Sequence, residues 1–216
     1  MNLYIAGVNH YDPMGRVRVG QWLRELSDRR REEPAFVAVE FDRDIFRALR
    51  RQRPQYREWI HSSWPGVPDE DLSLFELSLG YEGDTHKECF AGAEVVWLDD
   101  GRQVEPEVVD QHARLRLLTL RYFEQRNSLM LPGVVSEQVQ GYTRPEVFSP
   151  DRSRRFAERI LAQVKRTSRG WAVAITGASH ASDRFENSMR SLLEAAGVSC
   201  EVRYFCRLPE TTAQAV

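Results

Sequence analysis

Two segments near opposite ends of the chain finish with the same spacing, Gly7-Val-Asn-His10 and Gly177-Ala-Ser-His180. Each closes a short apolar run. Two further apolar runs end in acid: Val37-Ala-Val-Glu40 with Asp42 just beyond, and Val95-Val-Trp-Leu-Asp99-Asp100. Imidazole and carboxylate together are the ligand set for manganese, zinc, iron or cobalt, and two histidines with one or two carboxylates leave a position for a reactive water. A bound ion would lower that water's pKa towards neutrality while a spare carboxylate takes the proton. Without a metal, a histidine paired with a buried carboxylate serves as a general base. His10, His180 and Glu40 are therefore the candidate metal ligands, with Glu40 or His10 as the candidate base. Asp42 and Asp99 are carboxylates able to orient the imidazoles, and Tyr11 is a possible hydroxyl donor beside His10.

Each residue also has a plainer reading. A lone histidine after a strand is usually a satisfied loop residue, Glu40 alone suits the start of a helix, and Asp99-Asp100-Gly101 is turn chemistry. What favours the chemical reading is that all four segments deliver such groups to one place. That requires the apolar runs to be strands of a parallel sheet, with their carboxyl ends along one edge.

The elements between them support that requirement. Strands are expected at 2–6, 35–40, 93–98, 171–176 and 199–205, alternating with helices at 17–31, 43–51, 69–79, 85–92, 105–130 (one long helix or two), 151–168 and 182–196. Alternation of this kind predicts an α/β fold: a mostly parallel central sheet flanked by helices, in a single domain over 1–216. Some fifty residues separate the second strand from the third, so 43–92 forms a helical insertion or cap. Pro54 is expected to interrupt its first helix. Two stretches are lid candidates, the aromatic segment 55–68 with Trp59, His61 and Trp64, and the loop 131–149; for the first, a loop pinned by its tryptophans is the plainer reading. Glycine and acid at 80–84 read as a loop, and the tail after Pro209 as frayed.

Composition sets the bounds. The chain has 216 residues, 42% hydrophobic and 29% charged, with a formal net charge of -2, which gives no reason to expect nucleic acid or an anionic membrane as partner. Three cysteines, Cys89, Cys200 and Cys206, lack metal-type spacing and fit a reducing, cytoplasmic setting. No run is long or apolar enough to span a bilayer. His61, His86 and His112 are expected at the surface. The aromatic stretch at 59–64 suits burial against a second copy as well as capping a site, so a homo-oligomer is compatible with it.

Five motifs in order resemble the TraB/Tiki superfamily, the group that includes the erythromycin esterase and ChaN-like proteins. Gly7-Val-Asn-His10 and Gly177-Ala-Ser-His180 are similar to its two Gly-x-x-His motifs. Val37-Ala-Val-Glu-Phe-Asp42 resembles its Val-x-Val-Glu-Leu-Asp strand end, and Gly92-Ala-Glu-Val-Val-Trp-Leu-Asp99 its Gly-Ala-x-Val-Val-Leu-Ile-Asp segment. Asp151-Arg-Ser-Arg-Arg-Phe-Ala157 resembles Glu-Arg-Asp-x-x-Met-Ala and places the motif arginine on Arg152. Segments 54–82 and 131–149 match no motif. The chain departs from the pattern where Asp99-Asp100 replaces Asp-Arg, with Arg102 as a possible substitute. The family's acidic position before Gly92 falls on Glu82 or Glu88. The resemblance implies an α/β core and an activity that varies: some members are metal-dependent proteases, others hydrolyse an ester, others bind haem.

Three functions follow as expectations. The first is a metal-dependent hydrolase of a peptide, amide or ester bond in a small-molecule or peptide substrate, with His10, His180 and Glu40 on the metal and Arg152 steadying the oxyanion. The second is a non-catalytic haem- or ligand-binding, or regulatory, module on the same fold. The third is a metal-independent esterase in which His10 acts as base through Glu40.

Overall fold

The computed structural model describes residues 1–10, 15–63, 66, 68–101, 149–167 and 170–205. Strands β1 (Asn2–Val8), β2 (Phe36–Val39), β3 (Glu94–Trp97), β4 (Trp171–Gly177) and β5 (Ser199–Tyr204) form one sheet in the order β3-β2-β4-β1-β5. All four pairings are parallel. β1, β2 and β4 are buried along almost their whole length, as continuous apolar runs covered on both faces must be.

Alternation along the strands sends side chains into two cores. One holds Leu3, Ile5, Phe36, Ala38, Ala172 and Ala174 against α4 (Pro150–Thr167) and α6 (Met189–Ala195). The other holds Tyr4, Ala6, Val37, Val39, Val173 and Ile175 against α1 (Gly15–Arg29). Each covering helix presents one stripe: Val19, Trp22, Leu23 and Leu26 on α1; Ser153, Phe156, Ala157 and Ile160 on α4. Those spacings of three and four are the signature of an amphipathic helix.

The topology fixes where a ligand can go. From β1 the chain runs past β4 to reach β2, whereas from β4 it runs the opposite way, past β1, to reach β5. The order therefore reverses between β1 and β4, and the crevice beyond the carboxyl ends of such a pair is where open α/β sheets bind ligands.

The insertion between β2 and β3 is helical, as expected, but its first helix differs. α2 runs Arg43–Ser63, straight through Pro54. Proline removes one hydrogen bond and crowds the preceding turn. Phe46, Leu49 and Tyr56 are buried on both sides of it, so one packed stripe spans the proline and holds the helix together. Residues 55–63 thus belong to a helix and not to a loop. After α3 (Asp69–Ser78) come two 3₁₀ turns, Tyr81–Gly83 and Thr85–Glu88, where a loop and a short α-helix were expected. The expected helix at 182–196 is also shorter: a separate turn, α5 (Ala178–Ala181), precedes it, and α6 starts only at Met189, where Ser188 accepts a hydrogen bond from the Ser191 amide at 3.0 Å. The helix expected at 105–130, the lid candidate 131–149 (to Phe148), Trp64, Arg102, His112, Cys206 and the tail lie outside the described residues. Among those described, Cys89 and Cys200 are free thiols, and no helix is long and apolar enough to cross a membrane.

Candidate functional site

The parallel sheet brings His10, Glu40, Asp99 and His180 to one edge, each just beyond its strand. Glu40 follows β2 directly and is 4% exposed. Its Oε2 accepts the Gly177 amide at 2.5 Å, so the end of β4 clamps the carboxylate. Its Oε1 is the meeting point of three groups: Arg152 Nη1 at 3.0 Å, His10 Nε2 at 3.4 Å and His180 Nε2 at 3.6 Å. Gly177 lies against this cluster. A Cβ there would stand 2.9 Å from His10 Nε2 and 3.3 Å from Glu40 Oε2, a close approach that only glycine permits. The glycine of the other motif has a different task, since a Cβ on Gly7 would run into the Tyr204 ring at 2.7 Å.

Each imidazole is held from behind. His10 Nδ1 donates to Glu82 Oε1 at 2.9 Å. Glu82 comes from the first 3₁₀ turn of the insertion and is fully buried. Of Glu82 and Glu88, it is Glu82 that reaches His10, whereas Glu88 lies outside the site, paired with Arg16 and Arg24. His180 Nδ1 shares a 2.7 Å hydrogen bond with Ser153 Oγ, and the ring packs on Phe156 at 4.9 Å. Ser153 is fully buried on the inner stripe of α4. Its hydroxyl therefore fixes the ring and is not itself open to a substrate.

Arg152, one residue earlier, reaches Glu40 with Nη1 and forks onto Asp99 through Nε, at 2.9 Å, and Nη2. The bidentate grip fixes the guanidinium plane. Asp99 thus orients Arg152, where an imidazole was expected. Asp42 also differs from expectation. Its Oδ1 accepts the amides of Asp44 and Ile45, at 2.8 and 3.0 Å, and its Oδ2 accepts that of Gly101 at 3.1 Å. It is the N-cap of α2, and it supports the site only through the backbone. Tyr11 lies outside the described residues.

The charges push the two histidines apart. Burial works against a charge on His10, but Glu40 and then Glu82 outweigh it and raise its pKa to about 10. His180 moves the other way: burial, with Arg152 and His10 nearby, lowers it despite Glu40 and Asp99. Glu40 is held well below the usual carboxylate range, because Arg152, His180 and His10 overcome the cost of its burial. Around neutral pH the site therefore holds a cationic His10, a neutral His180, a carboxylate and a guanidinium. The His10 side chain is 32% exposed against 5% for His180, so a substrate meets His10 first.

Among the described residues, no three histidines, cysteines or acids are gathered as a metal-ligand group. The reason is visible at Glu40: both oxygens already accept N–H groups, and a guanidinium cation stands 3.0 Å from the oxygen that faces the imidazoles. As arranged, the residues do not fit a divalent ion. They fit haem no better, since both nitrogens of each imidazole already face side chains.

His86 is not at the surface as expected. It is 1% exposed and buried in the second 3₁₀ turn, and burial, then Lys87, lowers its pKa to about 4. It takes no part in the site.

Neither a protein-family model, a curated protein nor a solved structure matches this chain, so the TraB/Tiki resemblance stands on its five motifs alone.

Proposed function

We propose that the protein hydrolyses an ester or amide bond by acid–base catalysis between its two histidines. The observation that carries this reading is the convergence of Arg152, His10 and His180 on one oxygen of the buried Glu40. Paired titratable groups whose surroundings drive their pKa values apart are suited to opposite proton-transfer roles. Neutral His180, held through Nδ1 by Ser153, takes the proton of an attacking water at Nε2. Water oxygen adds to the carbonyl carbon, and negative charge grows on the carbonyl oxygen. His10 and Arg152 are the cationic donors for that charge. On collapse of the intermediate, the carbon–leaving-group bond breaks and the leaving atom takes the proton from His10. Glu40 orients the His10 ring, balances the cations and faces the imidazolium that forms on His180. His10 thus serves as the acid, not as the base of the metal-independent scheme expected from sequence.

A second reading keeps the metal. His10 Nε2 and His180 Nε2 both face Glu40 Oε1, and a carboxylate behind Nδ1, as Glu82 is, commonly supports a metal-bound imidazole. An ion would have to displace Arg152 from Glu40.

The test is turnover of a panel of carboxylic esters and amides by wild-type protein, His180→Ala and Glu40→Gln, with elemental mass spectrometry on the same samples. The proposal requires metal-free turnover that each substitution lowers by about 10²-fold or more. Turnover that appears only with stoichiometric manganese, zinc, iron or cobalt would move the case to the second reading. Absence of turnover on every substrate would refute both.

A further inference from the structure

Beside the site, three arginines gather, Arg16 of α1 with Arg50 and Arg53 of α2. Phe46, Leu49 and Tyr56 form the buried stripe of α2, and helical spacing places Arg53 on that same stripe. An arginine at such a position needs partners. Its Nε and Nη2 are out of solvent and bonded to nothing, although a guanidinium carries five donors in a fixed fork. Glu76, the acid that attracts it, is already bonded by Arg57 at 3.3 Å.

Two more guanidiniums face it. Arg16 Nη1 holds Asp84 Oδ1 at 2.8 Å, and Arg50 holds Asp84 Oδ2. Arg16 also reaches Glu88 at 2.7 Å. Asp84 is thus shared by two arginines, one on each oxygen, and bonds no third in this arrangement. The crowding is felt electrostatically: burial, then Arg53 and Arg16, lowers the Arg50 pKa to about 10, and burial, then Arg16, lowers that of Arg53. Asp84 lies two residues beyond Glu82, the partner of His10, at the link between the two 3₁₀ turns, so one short stretch of chain serves both the arginine group and the reacting groups.

We infer that Arg16, Arg50 and Arg53 form a subsite for an anionic group, a carboxylate or phosphoryl, carried by the substrate at a distance from the bond that is cut. An acceptor placed between the three side chains satisfies the idle donors of Arg53 and relieves the repulsion among the guanidiniums. The role in substrate choice rests on the hydrolytic reading above, whereas binding of an anion does not. Binding energy from a remote charged group also serves to orient the reacting bond.

The experiment uses the full-length protein in two arms. In the first, inorganic phosphate and succinate are titrated calorimetrically into wild type, Arg53→Gln, Arg53→Lys and Arg51→Gln, with circular dichroism to verify folding. Arg51 is exposed on the same helix and controls for net charge. Wild type and Arg51→Gln should bind at least one of the two anions saturably, with Arg53→Gln weaker by about tenfold or more and Arg53→Lys in between. Which anion binds more tightly identifies the group. In the second arm, kcat/KM is compared for a 4-nitrophenyl ester with a terminal carboxylate on its acyl chain and its neutral counterpart. Wild type and Arg51→Gln should prefer the charged ester, and folded Arg53→Gln should lose that preference by a similar factor. Absence of saturable anion binding by wild type, or equal binding by folded Arg53→Gln, would overturn the subsite. Arg53-dependent binding without hydrolysis of any ester would leave the anion site standing and remove the hydrolytic reading alone.

Discussion

His10 and Glu82, 72 residues apart in sequence, meet in a 2.9 Å hydrogen bond between imidazole Nδ1 and a fully buried carboxylate. The bond joins the exit of β1 to the helical insertion, so the insertion completes the site as well as flanking it. Glu82→Gln removes the charge and keeps the shape. We expect the His10 pKa to fall, since Glu82 is one of the two acids that raise it, and kcat/KM to fall by about 10–100-fold, as for other groups that orient a reacting imidazole. Ring-proton NMR titration of His10 checks the first effect independently of any substrate. An unchanged titration would show that Glu82 does not govern this ring.

Gly177→Ala puts a methyl 2.9 Å from His10 Nε2 and 3.3 Å from Glu40 Oε2. The strand itself can accept alanine, but the cluster has to open. Activity should drop by about 10²-fold, because a displacement approaching 1 Å is enough for that, while thermal unfolding stays cooperative. Paired melting and kinetic measurements distinguish this outcome from general loss of fold.

Much of the site was legible in the sequence because buried parallel strands are apolar until they emerge, so Glu40, Asp99 and the two histidines mark strand ends by their chemistry. Glu82 could not be assigned so firmly. It sits in a 3₁₀ turn, which leaves no periodicity to read, and an insertion brings it to His10. Ser153 is not legible, because a serine on an amphipathic stripe looks like any small packing residue; its position beside Arg152 is the one available signal. Propensity alone makes Pro54 an interruption, because the tertiary packing that Phe46, Leu49 and Tyr56 supply is not encoded locally. Asp42 and Asp99 carried the right charge at the right edge, but whether a carboxylate binds an amide, a guanidinium or an imidazole depends on distances that spacing does not encode.

Ser153→Ala should destabilise the fold by about 1–3 kcal/mol, since it leaves His180 Nδ1 buried without its partner. The ring would also lose the bond that fixes its tautomer, so kcat should fall more than KM rises. Chemical denaturation and steady-state kinetics on the same preparation check both. Ser153→Thr, which keeps the hydroxyl, should recover part of kcat if its extra methyl is accommodated.

Stability should depend on pH at both ends of the range. His180 and His86 are held below their ordinary pKa of 6.5, so the unfolded chain takes up protons before the folded one does. Their contribution is present above pH 6.5 and is lost as pH falls towards about 4, the value for His86. His10 has the opposite sign: its contribution is complete below pH 6.5 and is lost as pH rises through about 10. Denaturation midpoints between pH 4 and 10 should pass through a maximum. His86→Gln should flatten the acid limb without touching the alkaline one, and an unaltered acid limb would show that His86 is not held neutral.

With His180 as the base and His10 as the acid, the decisive measurement is the pH dependence of kcat/KM for chelator-dialysed protein on a responsive ester. The profile should be bell-shaped, rising as His180 deprotonates below pH 6.5 and falling as His10 deprotonates towards pH 10. Glu82→Gln should move the alkaline limb to lower pH and leave the acid limb in place. A profile flat across both limbs, or an alkaline limb that ignores Glu82→Gln, would contradict these roles.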